Sequence, residues 1–282
     1  MKSISPKAAR KYLVKIPKDA NKGTKGTAAI FAGSYGMVGA AIISATSALK
    51  SGAGIVRLCV DDEIYPILAP ALPEMVFKPL NRDSDYADKE RLFETIKGAK
   101  SLLIGPGLSN TKTTKALVEN LLEISEVPTI IDADGLNSIV GDLDVLKTAK
   151  AKTIVTPHPL EMARLIGEDV ETVLKNRVQV AESFAKTHGV ITVLKGAYTL
   201  IASPDTETYI NKTGCEGMAT AGSGDMLSGM ISAFLANGME PLKATVCAVC
   251  LHGEAGERAT KKLGVRSVTA MDMVKELPLT LK

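Results

Sequence analysis

Short runs rich in Ile, Val and Leu recur at residues 27–32, 54–60, 101–105, 128–132, 152–156 and 190–194, and in each the apolar residues are continuous rather than alternating. Strands covered on both faces read this way, as those of a parallel sheet do, whereas a half-exposed strand alternates. Helical stretches separate several of the runs. The pattern therefore predicts an α/β fold, a doubly wound and mostly parallel central sheet with helices on both faces, three layers deep. Residues 198–202 and 207–210, on either side of Ser203-Pro204-Asp205, predict a hairpin appended near the sheet edge.

The last third changes period. Met226, Leu227, Met230, Ile231, Phe234 and Leu235 fall in adjacent pairs every four residues, which predicts an amphipathic helix over 222–237 that stops at Gly238. Pro241 opens a second helix running through Cys247 and Leu251. The uncharged run 26–49 carries Gly33, Gly36, Gly39, Ser44, Thr46 and Ser47, which makes it a poor bilayer span. It predicts a buried strand, a tight turn and a buried helix instead. No repeat or long linker divides the chain, so residues 1–282 are expected to form one domain.

Charge and composition narrow the partners. The 34 Lys and Arg against 31 Asp and Glu leave a net charge of +3, too thinly spread to draw nucleic acid or an anionic membrane. Aromatic residues make up 4% and Trp is absent, so a base-stacking platform has little to be built from. Small molecules are the expected partners. Cys59, Cys215, Cys247 and Cys250 are too few for a disulfide scaffold and no leader pattern precedes Lys22, which together point to a reducing cytoplasm. Cys247 and Cys250 have C-x-x-C spacing within a predicted helix, without a second metal-binding pair, and read as core thiols.

The strongest local signal is Thr220-Ala221-Gly222-Ser223-Gly224-Asp225, directly before the helix over 222–237. Glycines let backbone N–H groups converge and a helix start adds partial positive charge, so the segment suits an oxyanion or phosphate with Asp225 at its rim. A tight turn with Asp225 as a helix cap explains the same residues. Gly33-Ser34-Tyr35-Gly36-Met37-Val38-Gly39 follows a strand and opens a helix, and Asp61 ends the next strand where a dinucleotide fold places its ribose-binding acid. The spacing is G-x-x-G-x-x-G rather than G-x-G-x-x-G, which leaves a nicotinamide dehydrogenase as a rival. No phosphate-binding G-x-x-x-x-G-K-[ST] stretch exists.

Other strand ends carry polar clusters: Gly105-Pro106-Gly107, Asp132-Ala133-Asp134, and Thr156-Pro157-His158-Pro159-Leu160-Glu161. In a parallel sheet ligands bind at the carboxyl ends of strands, and accumulation there outweighs ordinary turn chemistry. His158 can donate to a substrate oxygen and Glu161 can hold a hydrated magnesium ion. His188 reads as a helix-end residue and His252 as a packed one.

These segments, with Lys22-Gly23…Gly26, Ala32-Gly33-Ser34…Gly39-Ala40-Ala41, Ser51-Gly52-Ala53-Gly54 and Leu194-Lys195-Gly196, resemble in order the ADP/ATP-dependent NAD(P)H-hydrate dehydratases of the ribokinase-like fold, over roughly residues 22 to 260. The resemblance implies a metabolite-repair lyase that uses ADP or ATP to dehydrate the S epimer of hydrated NADH or NADPH. It implies Asp225 as the catalytic base and Gly222, Ser223 and Gly224 as the anion hole. Lys195, Gly196, Ala197, Tyr198 and Thr199 would contact the adenine nucleotide, and Ala40, Gly107, His158 and Asp225 the hydrated cofactor. Glu161 resembles a magnesium-holding acid of related sugar and vitamin kinases, although His158 stands where those kinases have Asn. With an ordinary pKa of about 3.9, Asp225 is expected to be ionised at neutral pH. A cytoplasmic homotetramer is implied, as is cooperation with an NAD(P)H-hydrate epimerase carried by another chain. A ribokinase-like kinase of a small alcohol is the alternative enzyme, and a nucleotide-binding sensor without turnover the alternative outside enzymes.

Overall fold

The computed structural model describes residues 1–282. Nine strands make one sheet: β1 (Thr27–Phe31), β2 (Ile55–Asp61), β3 (Val76–Leu80), β4 (Ser101–Ile104), β5 (Thr129–Ile131), β6 (Thr153–Val155), β7 (Ile191–Leu194), β8 (Leu200–Ser203) and β9 (Thr206–Ile210). Their order is β3-β2-β1-β4-β5-β6-β7-β8-β9, parallel up to β7 and antiparallel from β7 to β9. The six apolar runs are β1, β2, β4, β5, β6 and β7.

Both faces of the sheet are covered, which is why those strands do not alternate. Ala28 and Ile30 of β1 join one apolar cluster with the helices Val38–Lys50, Ser223–Ala236, Pro241–Leu263 and Ala270–Thr280. Ala29 and Phe31 join the opposite cluster with Lys89–Ile96, Lys112–Ile124, Pro159–Ile166 and Arg177–His188. No helix is long and apolar enough to cross a membrane.

Three expectations need correcting. β3 was not predicted: it is an edge strand of alternating exposure that carries Lys78 and Pro79, so it lacks the continuous apolar signature. The hairpin begins at Leu200 rather than at residue 198, because Tyr198 takes φ 57° in the preceding turn. The Ser223–Ala236 helix is not amphipathic: every residue from Met226 to Ala236 is buried. Its nominally polar side is made of small residues: Gly229 sits against the Val38–Lys50 helix, while the Ser228 and Ser232 hydroxyls reach Asp132 and Ser101 at the sheet. A Cβ on Gly229 would lie 2.3 Å from the Ser44 carbonyl oxygen.

The order reverses between β1, which leads outward to β2 and β3, and β4, which leads the other way to β7. Such a switch point leaves a crevice at the carboxyl ends of its two strands, where the connections diverge. The Gly33–Gly39 and Gly105–Gly107 turns both lie there.

Candidate active site

At the carboxyl ends of β5, β6 and β7, three chain segments deliver one buried charge cluster. Lys195, just after β7, places Nζ 2.9 Å from Asp132 Oδ1 and 3.7 Å from Glu161 Oε2. Asp132 follows β5 and is 1% exposed, and its Oδ2 accepts from Ser228 Oγ at 2.8 Å. Burial opposes a charge on Asp132, but Lys195 outweighs it and holds the carboxyl below its ordinary range. Burial would likewise strip the proton from Lys195; Asp132 and Glu161 reverse that and keep its pKa raised.

Ala133 adopts φ 48°, ψ −118°, a costly conformation for a residue with a Cβ. It turns consecutive acids in different directions: Asp132 toward Lys195, and Asp134 toward the Ser109 amide, 2.8 Å away. That bond ties the ends of β4 and β5 together.

Asp225 lies in the first turn of the Ser223–Ala236 helix. Gly222 takes φ 87° at the N-cap with no side chain capping the helix, and a Cβ there would strike Ile43 Cδ1 at 2.4 Å. The Ser223 amide is spent on the Thr220 carbonyl at 3.3 Å, while the amides of Gly224 and Asp225 find no backbone acceptor. The free amides at this helix start are therefore those of Gly224 and Asp225. Gly224 lies so near Lys195 that a Cβ would be 3.2 Å from Nζ. Asp225 corrects a further expectation, that of an ordinary ionised carboxylate: burial first, then the neighbouring Asp132, pushes its carboxyl up to about 7 against the pull of Lys195. At neutral pH it is poised between proton donor and acceptor.

His158 is tied into the start of the helix that follows it. It caps the Pro159–Ile166 helix, its Nδ1 accepting from the Glu161 amide at 3.2 Å while Glu161 Oε2 accepts from the His158 amide at 2.7 Å. Its ring remains half exposed toward the cluster, and burial together with Lys195 lowers its pKa, so it is neutral at physiological pH. Glu161 is raised by burial and by Asp132. No group of three or more His, Cys, Asp or Glu gathers as a cage for a metal ion. With one Glu161 oxygen spent on the cap, the donor set fits a hydrated magnesium ion delivered on phosphates rather than a protein-enclosed one.

Gly196, Ala197, Tyr198 and Thr199 form the turn between β7 and β8, stiffened from outside. Arg177 donates to the carbonyls of Ala197 at 2.6 Å and of Leu194 and Tyr198 at 3.3 Å each. Ala40 and Gly107 face each other across the switch point; Gly107 has φ 64°, and a Cβ there would meet Ala40 Cβ at 2.8 Å. His252 is buried as expected, but it also approaches Ser223 Oγ at 3.4 Å, and burial takes its pKa down to about 4. His188 ends its helix, and Cys247 and Cys250 are buried in the core. Sequence reasoning noticed Asp132 only as one of a polar cluster and missed Ser228 and Arg177 entirely. Their partners lie 63, 96 and about 20 residues away, and no local pattern signals such pairings.

This architecture is ribokinase-like. A ribokinase-like superfamily protein from Enterococcus faecalis superposes with a TM-score of 0.86 at 25% identity, covering 100% of this chain and 95% of its own. Within that class the chain belongs to the NAD(P)H-hydrate dehydratase family, whose sequence model matches residues 28–279. It is 33% identical over 265 residues to the ADP-dependent (S)-NAD(P)H-hydrate dehydratase of Bacillus subtilis, covering 94% of this chain and 92% of that one. The crystal structure of the ADP/ATP-dependent NAD(P)H-hydrate dehydratase from Bacillus subtilis, co-crystallized with ATP/Mg2+, superposes with a TM-score of 0.88 at 31% identity, covering 98% and 96% of the two chains. The bifunctional NAD(P)H-hydrate repair enzyme Nnr of Moorella thermoacetica is 38% identical over 281 residues. That match covers 97% of this chain but 52% of the relative, so the chain spans about half the length of such bifunctional proteins.

Proposed function

We propose that this chain dehydrates the S epimer of hydrated NADH or NADPH, using ADP or ATP to phosphorylate the ring hydroxyl and then eliminating phosphate. The observation that carries the reading is Asp225: a half-buried carboxyl poised near pH 7, at an uncapped helix start, beside a lysine already charge-matched by two other acids. Hydroxide is a poor leaving group and phosphate a good one. Asp225 takes the hydroxyl proton as the ring oxygen attacks the terminal phosphorus and the bond to the departing ADP or AMP breaks. The ring nitrogen lone pair then expels phosphate, and loss of a proton from the adjacent carbon restores the dihydronicotinamide.

Phosphoryl transfer asks mostly for positioning and charge neutralisation. The Gly224 and Asp225 amides, with Gly222 and Ser223 shaping the turn, receive the transferred group, and Lys195 supplies a fixed positive charge beside it. The Arg177-braced turn Gly196–Thr199 holds the nucleotide, while Ala40, Gly107 and His158 hold the hydrated ring. Glu161 would hold magnesium through water, and the ion would neutralise phosphate charge when bound. We read residues 1–282 as one catalytic domain acting in the cytoplasm as a homotetramer, in partnership with an epimerase activity such as the bifunctional names of its relatives indicate.

The test is direct. Purified protein incubated with hydrated NADH plus ADP, and then ATP, should regain absorbance in the NADH band. No recovery with either nucleotide rejects the proposal, and accumulation of a stable phosphorylated alcohol would favour the kinase reading.

A further inference from the structure

The glycine turn after β1 and the acid that ends β2 do no work in the chemistry above, yet the fold brings them together. They meet at a cavity of about 280 Å³ on the β3 side of the switch-point crevice, lined by Ser34, Tyr35, Asp61, Arg82 and Ser109 among others. Pockets for whole drug-sized ligands run upward from about 300 Å³, so this one suits a single nucleoside rather than a dinucleotide. Its chemistry is also that of a nucleoside site. Tyr35 is 82% exposed and offers an unpacked aromatic face to a purine. Asp61 is buried at the end of β2, the position from which an acid accepts ribose hydroxyls in dinucleotide-binding sheets. Ser34 and Ser109, whose hydroxyls share a hydrogen bond of 2.9 Å, add further polar contacts.

The cavity is joined to the active site. The Ser109 amide bonds Asp134, directly after Asp132 and Ala133. From β2 to β5 is three strand spacings, about 14 Å at ~4.8 Å each, a gap that a nicotinamide ring alone does not span and a dinucleotide does. The start of the Val38–Lys50 helix lies along this path, with no side chain capping it. Gly39 has no unusual φ there and a Cβ on it would meet no protein atom within 4 Å, so nothing in the fold itself requires glycine. An uncapped start with open space above it suits a pyrophosphate.

We infer that this cavity holds the adenosine end of the hydrated dinucleotide and selects an unphosphorylated ribose, so that hydrated NADH is preferred over hydrated NADPH. The inference rests on the dehydration reading for what lies at the other end. Its lining carries the carboxylates of Asp61, Asp62, Glu63 and Asp83 against one guanidinium. Two of its three nitrogens are committed: Arg82 Nε lies 3.0 Å from Asp61 Oδ2 and Nη1 donates to the Leu108 carbonyl at 2.8 Å, while Nη2 is buried without a partner. A 2′-phosphate would bring about −1.5 to −2 charge into this acidic rim.

The experiment compares kcat/KM for hydrated NADH and hydrated NADPH, alongside calorimetric titration of NADH and NADPH themselves. Both ratios should favour the unphosphorylated form by about tenfold. The double variant Asp62→Lys/Asp83→Lys should narrow both at least about threefold, with ATP affinity as the control for folding. Tyr35→Ala should raise KM for both hydrates while sparing a hydrated nicotinamide mononucleotide, which lacks the adenosine. Equal ratios for the wild type, or charge reversal that leaves them unmoved, overturn the inference. If neither hydrate turns over, the dehydration reading fails, and the NADH to NADPH affinity ratio still decides this one.

Discussion

Two of this molecule's hollows differ sharply in what surrounds them. One, about 500 Å³, is a groove between the Pro159–Ile166 and Arg177–His188 helices, lined by Leu165, Ile166, Val180 and Phe184 with scattered polar groups. The strand-end crevice around Asp132, Lys195, Glu161 and Asp225 instead gathers buried charges from four segments far apart in sequence. In the groove His188 packs at a tilt on Phe184 with ring centroids 4.5 Å apart, and its Nδ1 has no partner. At the crevice the acids and Lys195 set one another's protonation. Volume marks where helices pack loosely, whereas opposed charges held out of water mark where chemistry is prepared.

The comparison predicts unequal costs. Replacing Lys195 with Met leaves Asp132 and Glu161 facing each other without their cation, and should destabilise the fold by about 3–5 kcal/mol as well as abolishing turnover. Denaturant titration checks the first effect and the hydrate assay the second. A loss below about 1 kcal/mol would show that the cluster is better solvated than its burial implies.

Asp225→Asn should lower turnover at least about 100-fold and leave nucleotide binding largely intact. It should also stabilise the protein at pH 8. The folded pKa of about 7 lies above the unfolded value of 3.8, so Asp225 favours the fold fully when protonated, below 3.8, and loses that contribution as pH rises through 7. The neutral amide escapes this loss. Melting curves of the two proteins should therefore separate at pH 8 and converge near pH 4; the opposite order would contradict a half-buried, uncompensated carboxylate.

A smaller effect is the pH profile of the wild type. Because the base must be ionised, kcat/KM should fall about fivefold between pH 7 and pH 6 and level off above pH 8. A profile flat down to pH 5 would mean that substrate or Lys195 restores an ordinary carboxylate. Least of all, His188→Leu in the groove should leave turnover within about twofold and shift stability by no more than about 1 kcal/mol, since it removes an unpaired buried nitrogen. A large loss of activity there would erase the distinction between the two hollows.

How much of this was legible in the sequence follows from the range of the interactions. Strands sandwiched between helices announce themselves through continuous apolar runs, so β1, β2 and β4 to β7 could be placed from the sequence. β3 could not, because edge position exposes alternate residues and admits Pro79. The strand-end turns were visible because glycines and acids cluster locally. The pairing of Asp132 with Lys195 and Ser228 was not, since it exists only once β5, β7 and the Ser223–Ala236 helix converge. The raised pKa of Asp225 was hidden for the same reason: it comes from burial and from neighbours distant in sequence, not from the Gly-Ser-Gly-Asp stretch.

The central claim is that the ring hydroxyl becomes phosphorylated before it leaves. Hydrated NADH prepared with heavy oxygen in that hydroxyl, turned over with ATP, follows the atom itself. Recovery of the heavy oxygen in inorganic phosphate is the predicted result, and its release into water with unlabelled phosphate would contradict the account.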